Sequence, residues 1–368
     1  MLTALNRWYQ RNFTDPQAVL LVILLILGFA IITFLGNMLA PVFAAVVIAY
    51  LLESPVQLMK KYGARRRDSV IWIFLLFITI LFFLVFGILP LLLNQMTQFL
   101  AELPSYVGKG QELLLSLQNK LHFIPANDIE SLGNVVKSEI AGLGQVVLTM
   151  SLASIPSLIT ALIYLILVPM LVLFFMKDKW QILNWLSNYV PSQRGLANKV
   201  WSELDVQLGK YVKGKFWEFL ILGITVYFCF TFFELKYAIL LAVLVGVSVV
   251  MPYIGIMIVS IPFVLVAYFQ FGFSSELYAL LLTYFIINAL DGYVLVPILF
   301  SEVVNIHPIA IIISILLFGG LWGLWGVFFA IPLATLVNAI LRSWPCSEES
   351  SEENNKDTEL SKINTEVS

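Results

Sequence analysis

Asn288-Ala-Leu-Asp-Gly-Tyr-Val-Leu-Val-Pro297, followed by Asn305-Ile-His-Pro308, decides how this chain is read. The stretch sets a carboxylate, a carboxamide, prolines and an imidazole inside a region that otherwise reads as lipid-soluble. Between Phe216 and Leu341 the only charged side chains are Glu218, Glu234, Lys236, Glu276, Asp291 and Glu302. A charge in the middle of a bilayer costs roughly 2.5–3.5 kcal/mol on insertion scales, so one that persists there has a task or a partner. Asp291 is therefore read first as a functional group. The alternative is a residue near a helix end whose carboxylate reaches interfacial water.

Outward from that stretch, the chain of 368 residues is 60% hydrophobic and 12% charged. A soluble domain carries about 25% charged residues. The expected class is an all-α polytopic membrane protein with about eight transmembrane segments. Two cysteines, Cys229 and Cys346, give neither a disulfide framework nor a metal-ligand spacing. The net charge of −2 carries no signal for nucleic acid, and none is expected as a partner. Met1–Gln17 is polar and the next apolar run is long enough to span, so no cleavable leader is expected.

Residues 1–93 read as transmembrane segments around a basic loop. Asp15-Pro16 is a helix start, Ala18–Leu35 the first span, Gly36-Asn37 a tight break, and Met38–Leu52 the return. Lys60, Lys61, Arg65, Arg66 and Arg67 mark the cytoplasmic side, which makes the first two spans a hairpin and the N-terminus cytoplasmic. Ser69–Leu93 leads out. Residues 94–154 form an extracytoplasmic arm of about three amphipathic helices divided by Pro104 and Pro125. Ile129, Leu132, Val136, Ile140, Leu143 and Val147 lie on one helical face there. Residues 155–176 span inward, and 177–215 form a cytoplasmic amphipathic arm with Trp180 and Trp185 as interfacial anchors. Residues 345–368 are polar and acidic and should be disordered.

The core, 216–344, holds the most informative pattern. Ala238–Phe269 and Ile309–Leu341 are too long for one crossing. The first is interrupted at Pro252-Tyr253-Ile-Gly255, the second at Gly319-Gly320-Leu-Trp-Gly323-Leu-Trp-Gly326. Arms of about 10–14 apolar residues suit re-entrant hairpins better than crossings. The halves echo each other: Gly255 precedes Ser-Ile-Pro262, and Gly326 precedes Ala-Ile-Pro332. Two such hairpins entering from opposite faces form an inverted repeat, with the solute site at the broken helices. Four full crossings with proline kinks are the alternative. In both arrangements the C-terminus is cytoplasmic.

No zinc-binding H-E-x-x-H, no pair of carboxylates sharing a proton and no phosphate-binding loop is present. No cofactor is expected, an enzyme is disfavoured, and nucleotide hydrolysis on this chain is not expected to drive transport. Coupled transport suits what remains. Asn288 and Asp291 are three apart and share a helix face. A carboxylate sheltered from water can load and release a proton as access changes. Asn288 can bind solute or hold Asp291, and Pro297 frees a backbone carbonyl. His307 precedes the second broken segment and either titrates near neutrality or fixes the turn before Pro308.

The combined motifs resemble the AI-2E (autoinducer-2 exporter) family of bacterial permeases, with PerM-type permeases the nearest match. They are Asn288 to Asp291, Val-Leu-Val-Pro297, His307-Pro308, the glycine–tryptophan run and Ile-Pro332-Leu. Pro252 to Gly255, Tyr211-Val-Lys-Gly214 and Leu173-Phe-Phe-Met-Lys-Asp178 add to it. The resemblance implies a multi-pass bacterial inner-membrane protein of about eight spans that exports an autoinducer-2-like signal or exchanges sodium for protons. The expected partners are membrane lipid, a small solute with H+ or Na+, and further copies of the chain. The competing reading is an accessory membrane protein that assembles through its amphipathic arms and transports nothing.

Overall fold

The computed structural model describes residues 16–121, 155–188, 195–252, 254–300 and 307–343. Every regular element among them is helical. In chain order they are α1 (Pro16–Lys61), α2 (Arg66–Phe83), a π-turn (Leu84–Ile88) and α3 (Leu89–Leu121), then α4 (Ile155–Lys177), α5 (Lys179–Ser187) and α6 (Gly195–Phe232). These are followed by α7 (Ala238–Ser248), α8 (Ile254–Phe271), α9 (Ser275–Leu290), a second π-turn (Asp291–Leu295) and α10 (Val296–Phe300). The last two are α11 (Pro308–Phe328) and α12 (Ala330–Ser343).

Six helical stretches among the described residues are long and apolar enough to cross a membrane: Met38–Lys61, Arg66–Gly110, Thr160–Lys177, Asp205–Phe232, Ile254–Phe271 and Ser275–Phe300. Ala238–Ser248 and Ile309–Gly323 are apolar but shorter. At 1.5 Å per residue, the 11 residues of α7 reach only about half of a hydrocarbon core of roughly 30 Å.

Three sequence expectations are corrected. The break at Gly36-Asn37 does not occur: α1 runs unbroken through it and through Pro41, so the expected hairpin of two spans lacks its turn. A lone glycine costs a helix only about 1 kcal/mol. An unpaired backbone group in an apolar environment costs more, which favours continuity. Pro104 likewise sits inside α3 and does not divide it. The arm before residue 216 is not separate from the following span, because α6 carries both as one helix. Pro125, the stripe from Ile129 to Val147, Tyr253 and the tail after Ser343 lie outside the described residues.

The chain divides into two compact units, each described by itself: residues 40–183 with 210–303, and residues 1–39 with 184–209 and 304–368. The larger unit has two apolar cores. In one, Ala45, Ala49 and Val56 of α1 meet Val70 and Ile73 of α2 and Val172 and Met176 of α4. An ionic staple closes its end. Arg66 donates to both carboxylate oxygens of Glu53, at 2.8 and 3.3 Å, and to the carbonyl of Met176 at 3.1 Å. Lys179 approaches Glu53 at 3.9 Å.

The second core gathers Phe99 and Tyr106 of α3, Leu222, Val226 and Phe230 of α6, and the inner faces of α7, α8 and α9. Phe230 stacks on Phe263 at 4.9 Å, and Phe263 lies 4.2 Å from Tyr284. Here α7 and α8 form a hairpin. Gly255, at its tip, packs so closely on the end of α7 that a Cβ would collide with the Ser248 carbonyl. The turn into α7 is contorted, with Glu234 and Tyr237 at φ of 53° and 59°. Side-chain amides satisfy its backbone: Gln270 accepts from Lys236 N and donates to Glu234 O, both at 2.8 Å, and Gln95 accepts from Leu240 N at 2.9 Å.

In the smaller unit, α11 turns back on itself at Gly323, whose φ of 58° and ψ of −135° leave helical space. Gly326 repeats the device seen at Gly255: a Cβ there would collide with the Phe318 carbonyl.

Candidate functional site

Asp291 is placed by a widened helix turn. Ser274 caps α9, its Oγ accepting from Leu277 N at 3.3 Å, and the helix runs apolar to Leu290. The next five residues form the π-turn, in which Val296 N–H donates to the Asp291 carbonyl. Two residues explain the local geometry. Pro297 has no N–H to give, and its ring clashes with the carbonyl four residues back, a conflict that a wider turn relieves. Gly292 adds backbone freedom within the turn. Such π-turns are rare and recur at functional sites.

The side chain of Asp291 is only 4% exposed. Its Oδ1 receives no hydrogen bond from the described residues, and neither does Oδ1 of Asn288 one turn earlier. Asn288 is fixed by its other end, Nδ2 donating to the Tyr284 carbonyl at 2.8 Å. The Tyr284 hydroxyl lies 3.1 Å from Ser260 Oγ, which donates to the Ile256 carbonyl at 2.7 Å. The result is a pair of buried, unsatisfied oxygen acceptors above a satisfied hydroxyl relay. Buried polar groups are nearly always paired, and exceptions mark strain, chemistry or a missing ion or water.

A second group of charges faces this pair. On α6, Lys215 Nζ donates to Glu218 Oε2 at 2.8 Å, with the two side chains 8% and 4% exposed. The same ammonium donates to the Val249 carbonyl at 2.8 Å, just past the end of α7. It also sits 5.2 Å above the ring of Phe300, a favourable cation–π distance. Gly214 lets that ring lie against α6, since a Cβ there would come within 2.6 Å of it. Asp291 interacts electrostatically with both Lys215 and Glu218. One buried ammonium thus bonds one carboxylate and lies in the field of a second.

The structure brings some of the sequence-derived residues together and not others. Asp291, Asn288 and Pro297 lie on one continuous helix, Pro297 exposed on its outer side. Pro252 and Gly255 stand at the hairpin tip whose preceding residue, Val249, receives Lys215. His307 belongs to the smaller unit, where it is exposed and caps α11, its Nδ1 accepting from Ile309 N at 3.3 Å. Of the second glycine run, Gly323 makes the turn and Gly326 the close approach. A Cβ at Gly319 would meet Val327 at 2.8 Å, and one at Gly320 nothing within 4 Å.

Sequence reasoning missed Lys215 and Glu218. Lys215 ends a basic segment and reads as part of the cytoplasmic arm; Glu218 is one charge among six. The available signal was their spacing, three apart at the start of an apolar run, which aligns them on one helix face.

Residues 20–345 match the model of the AI-2E family transporter. The chain is 43% identical over 346 residues to "Putative permease PerM" of Escherichia coli (strain K12), covering 94% of this chain and 98% of that one. It is 26% identical over 314 residues to "Putative transport protein YueF" of Bacillus subtilis (strain 168), covering 84% of each. It is 24% identical over 302 residues to "Putative transport protein YrrI" of the same organism, covering 82% and 85%.

Proposed function

This chain belongs to the AI-2E family of transporters, and from that premise we propose that it is a secondary transporter in which Asp291 couples a proton or monovalent cation to export of a small solute. The family is one of transport proteins, not of enzymes. The observation that carries the coupling role is the buried, unpartnered Oδ1 of Asp291 on a π-turn. Leaving a buried acceptor unsatisfied costs about 1–3 kcal/mol, more when it is charged. A site that binds and releases a cation explains that cost. Asn288 Oδ1, the other unpartnered acceptor, is the second ligand.

On this reading α7–α8, with its tip at Pro252–Gly255, and the folded α11, with its turn in Gly319–Gly326, each enter the membrane without crossing it. The short helices Ala238–Ser248 and Ile309–Gly323 support this, although α8, at 18 residues, is by itself long enough to cross. The protein sits in the bacterial inner membrane with Lys60–Arg67 and the C-terminus cytoplasmic, and assembles with copies of itself through its amphipathic helices.

The test is reconstitution in liposomes with an internal pH-sensitive dye, under imposed proton and sodium gradients. Wild type is expected to move protons when a gradient of sodium or of candidate solute is applied. Asp291→Asn should abolish the coupled flux while leaving the protein folded. An unaltered rate in that variant removes Asp291 from the mechanism, and no flux in wild type under any gradient favours the accessory role.

A further inference from the structure

The two ends of α7 are held by different chemistry. Its start is fixed by neutral amides: Gln95 on Leu240, and Gln270 on Lys236 and Glu234. Past its other end, the Val249 carbonyl is held by an ammonium, Lys215 Nζ, at 2.8 Å. That ammonium also holds Glu218 and lies in the field of Asp291. The backbone at the start of the hairpin is thus held by uncharged groups, with Glu102 engaging only the Lys236 and Tyr237 side chains there, whereas the backbone at its tip is held by a charge.

We propose that Lys215 is an ionic latch through which the charge on Asp291 controls the tip of the α7–α8 hairpin. The proposal rests on the coupling role of Asp291. With a proton or cation on Asp291, the trio of Lys215, Glu218 and Asp291 is neutral, and Lys215 stays on Glu218 and Val249 O. When Asp291 releases that cation, the trio holds one positive and two negative charges. Asp291 Oδ1 then draws the ammonium. Because that oxygen receives no hydrogen bond from the described residues, Lys215 must shift to reach it. Glu218 shares its helix and can follow; the Val249 carbonyl cannot. The carbonyl loses its partner, and residues 249–252 are freed. The groups facing Lys215 are Glu218 of α6, Asp291 of the π-turn, the Val249 carbonyl, and the ring of Phe300 of α10. Tyr211 of α6 interacts electrostatically with Glu218. The latch accounts for a buried lysine bonded to one carboxylate and in the field of a second, an arrangement that stability alone does not favour.

The test places a reporter, Val250→Cys, in full-length protein carrying Cys229→Ser and Cys346→Ser, reconstituted in liposomes. Maleimide labelling is followed at acidic pH with sodium and at alkaline pH without it. Rates are normalised to Phe273→Cys, at a loop residue 76% exposed, to remove the intrinsic pH dependence of the thiol. The wild-type background should label about tenfold faster in the cation-free condition, as expected for losing one charge-assisted hydrogen bond. Asp291→Asn should label slowly in both conditions and Lys215→Gln rapidly in both. Where Lys215→Gln fails to fold, because Glu218 is left buried alone, Lys215→Met with Glu218→Leu removes both charges and should also label rapidly in both. The latch is overturned if labelling in the wild-type background ignores the conditions, or if either lysine variant still responds. Labelling that responds in a protein without flux overturns coupled transport and keeps the latch. Flux lost in Asp291→Asn, with labelling indifferent to Lys215, overturns the latch alone.

Discussion

A methyl group at Gly255 has no room: it would meet the carbonyl oxygen of Ser248 and the backbone behind it. The backbone of a hairpin tip cannot give way as a flexible side chain would. Gly255→Ala is therefore expected to destabilise the protein by about 1–3 kcal/mol, the range for forced overpacking. Gly320→Ala, with nothing within 4 Å, should be neutral or slightly stabilising. Thermal unfolding of the two variants in nanodiscs checks the contrast; equal midpoints would contradict the close approach. At this scale the sequence was informative about type and silent about partners. Asp291 stood out because an acid in an apolar run is costly wherever it points. Lys215 did not, because its burial depends on the Val249 carbonyl, 34 residues away, and no local pattern encodes that distance.

The π-turn at Asp291–Leu295 is a property of the element. One residue more than an α-turn shifts the register between Asp291 and the helix beyond it, so Phe300 faces Lys215 while Asp291 stays buried. Deleting Gly292 should restore an α-helical turn and remove the widened geometry that now presents Asp291. The variant is expected to insert and fold but lose more than about 90% of coupled flux, a deficit of about 1.4 kcal/mol or more in transition-state free energy. Retained flux would show that the register does not matter. Element boundaries were the least legible feature of the sequence. Prolines 41, 55, 104, 169, 262 and 297 all sit inside helices. Proline and glycine break helices in water, where the freed groups find solvent. In an apolar setting the helix is retained because the alternative leaves more groups unpaired. The breaks inside the two long apolar segments, at residues 249–252 and at Gly323, are those where close approach or positive φ gives the chain a reason to turn.

Across the whole molecule, apolar side chains face outward in every candidate span. Met38, Trp72, Ile166, Phe228, Met257 and Phe285, one in each span, are each more than half exposed. A soluble protein rarely shows contiguous apolar patches beyond a few hundred Å². The chain should pellet with membranes and stay there through alkaline carbonate washing, which releases peripheral proteins; recovery in the wash would refute the multi-pass reading. Membrane class was the most legible property because it rests on composition, which needs no tertiary information.

The staple of Glu53, Arg66 and Met176 has a consequence for how the protein is made. Arg66 and Met176 are 110 residues apart. At a synthesis rate of about 5–20 residues per second, the third partner leaves the ribosome roughly 5–20 s after the second. Glu53 and Arg66, only 13 residues apart, can neutralise each other first. The nascent chain then holds a closed ion pair instead of two bare charges between α1 and α2, and α4 docks onto a surface already prepared for it.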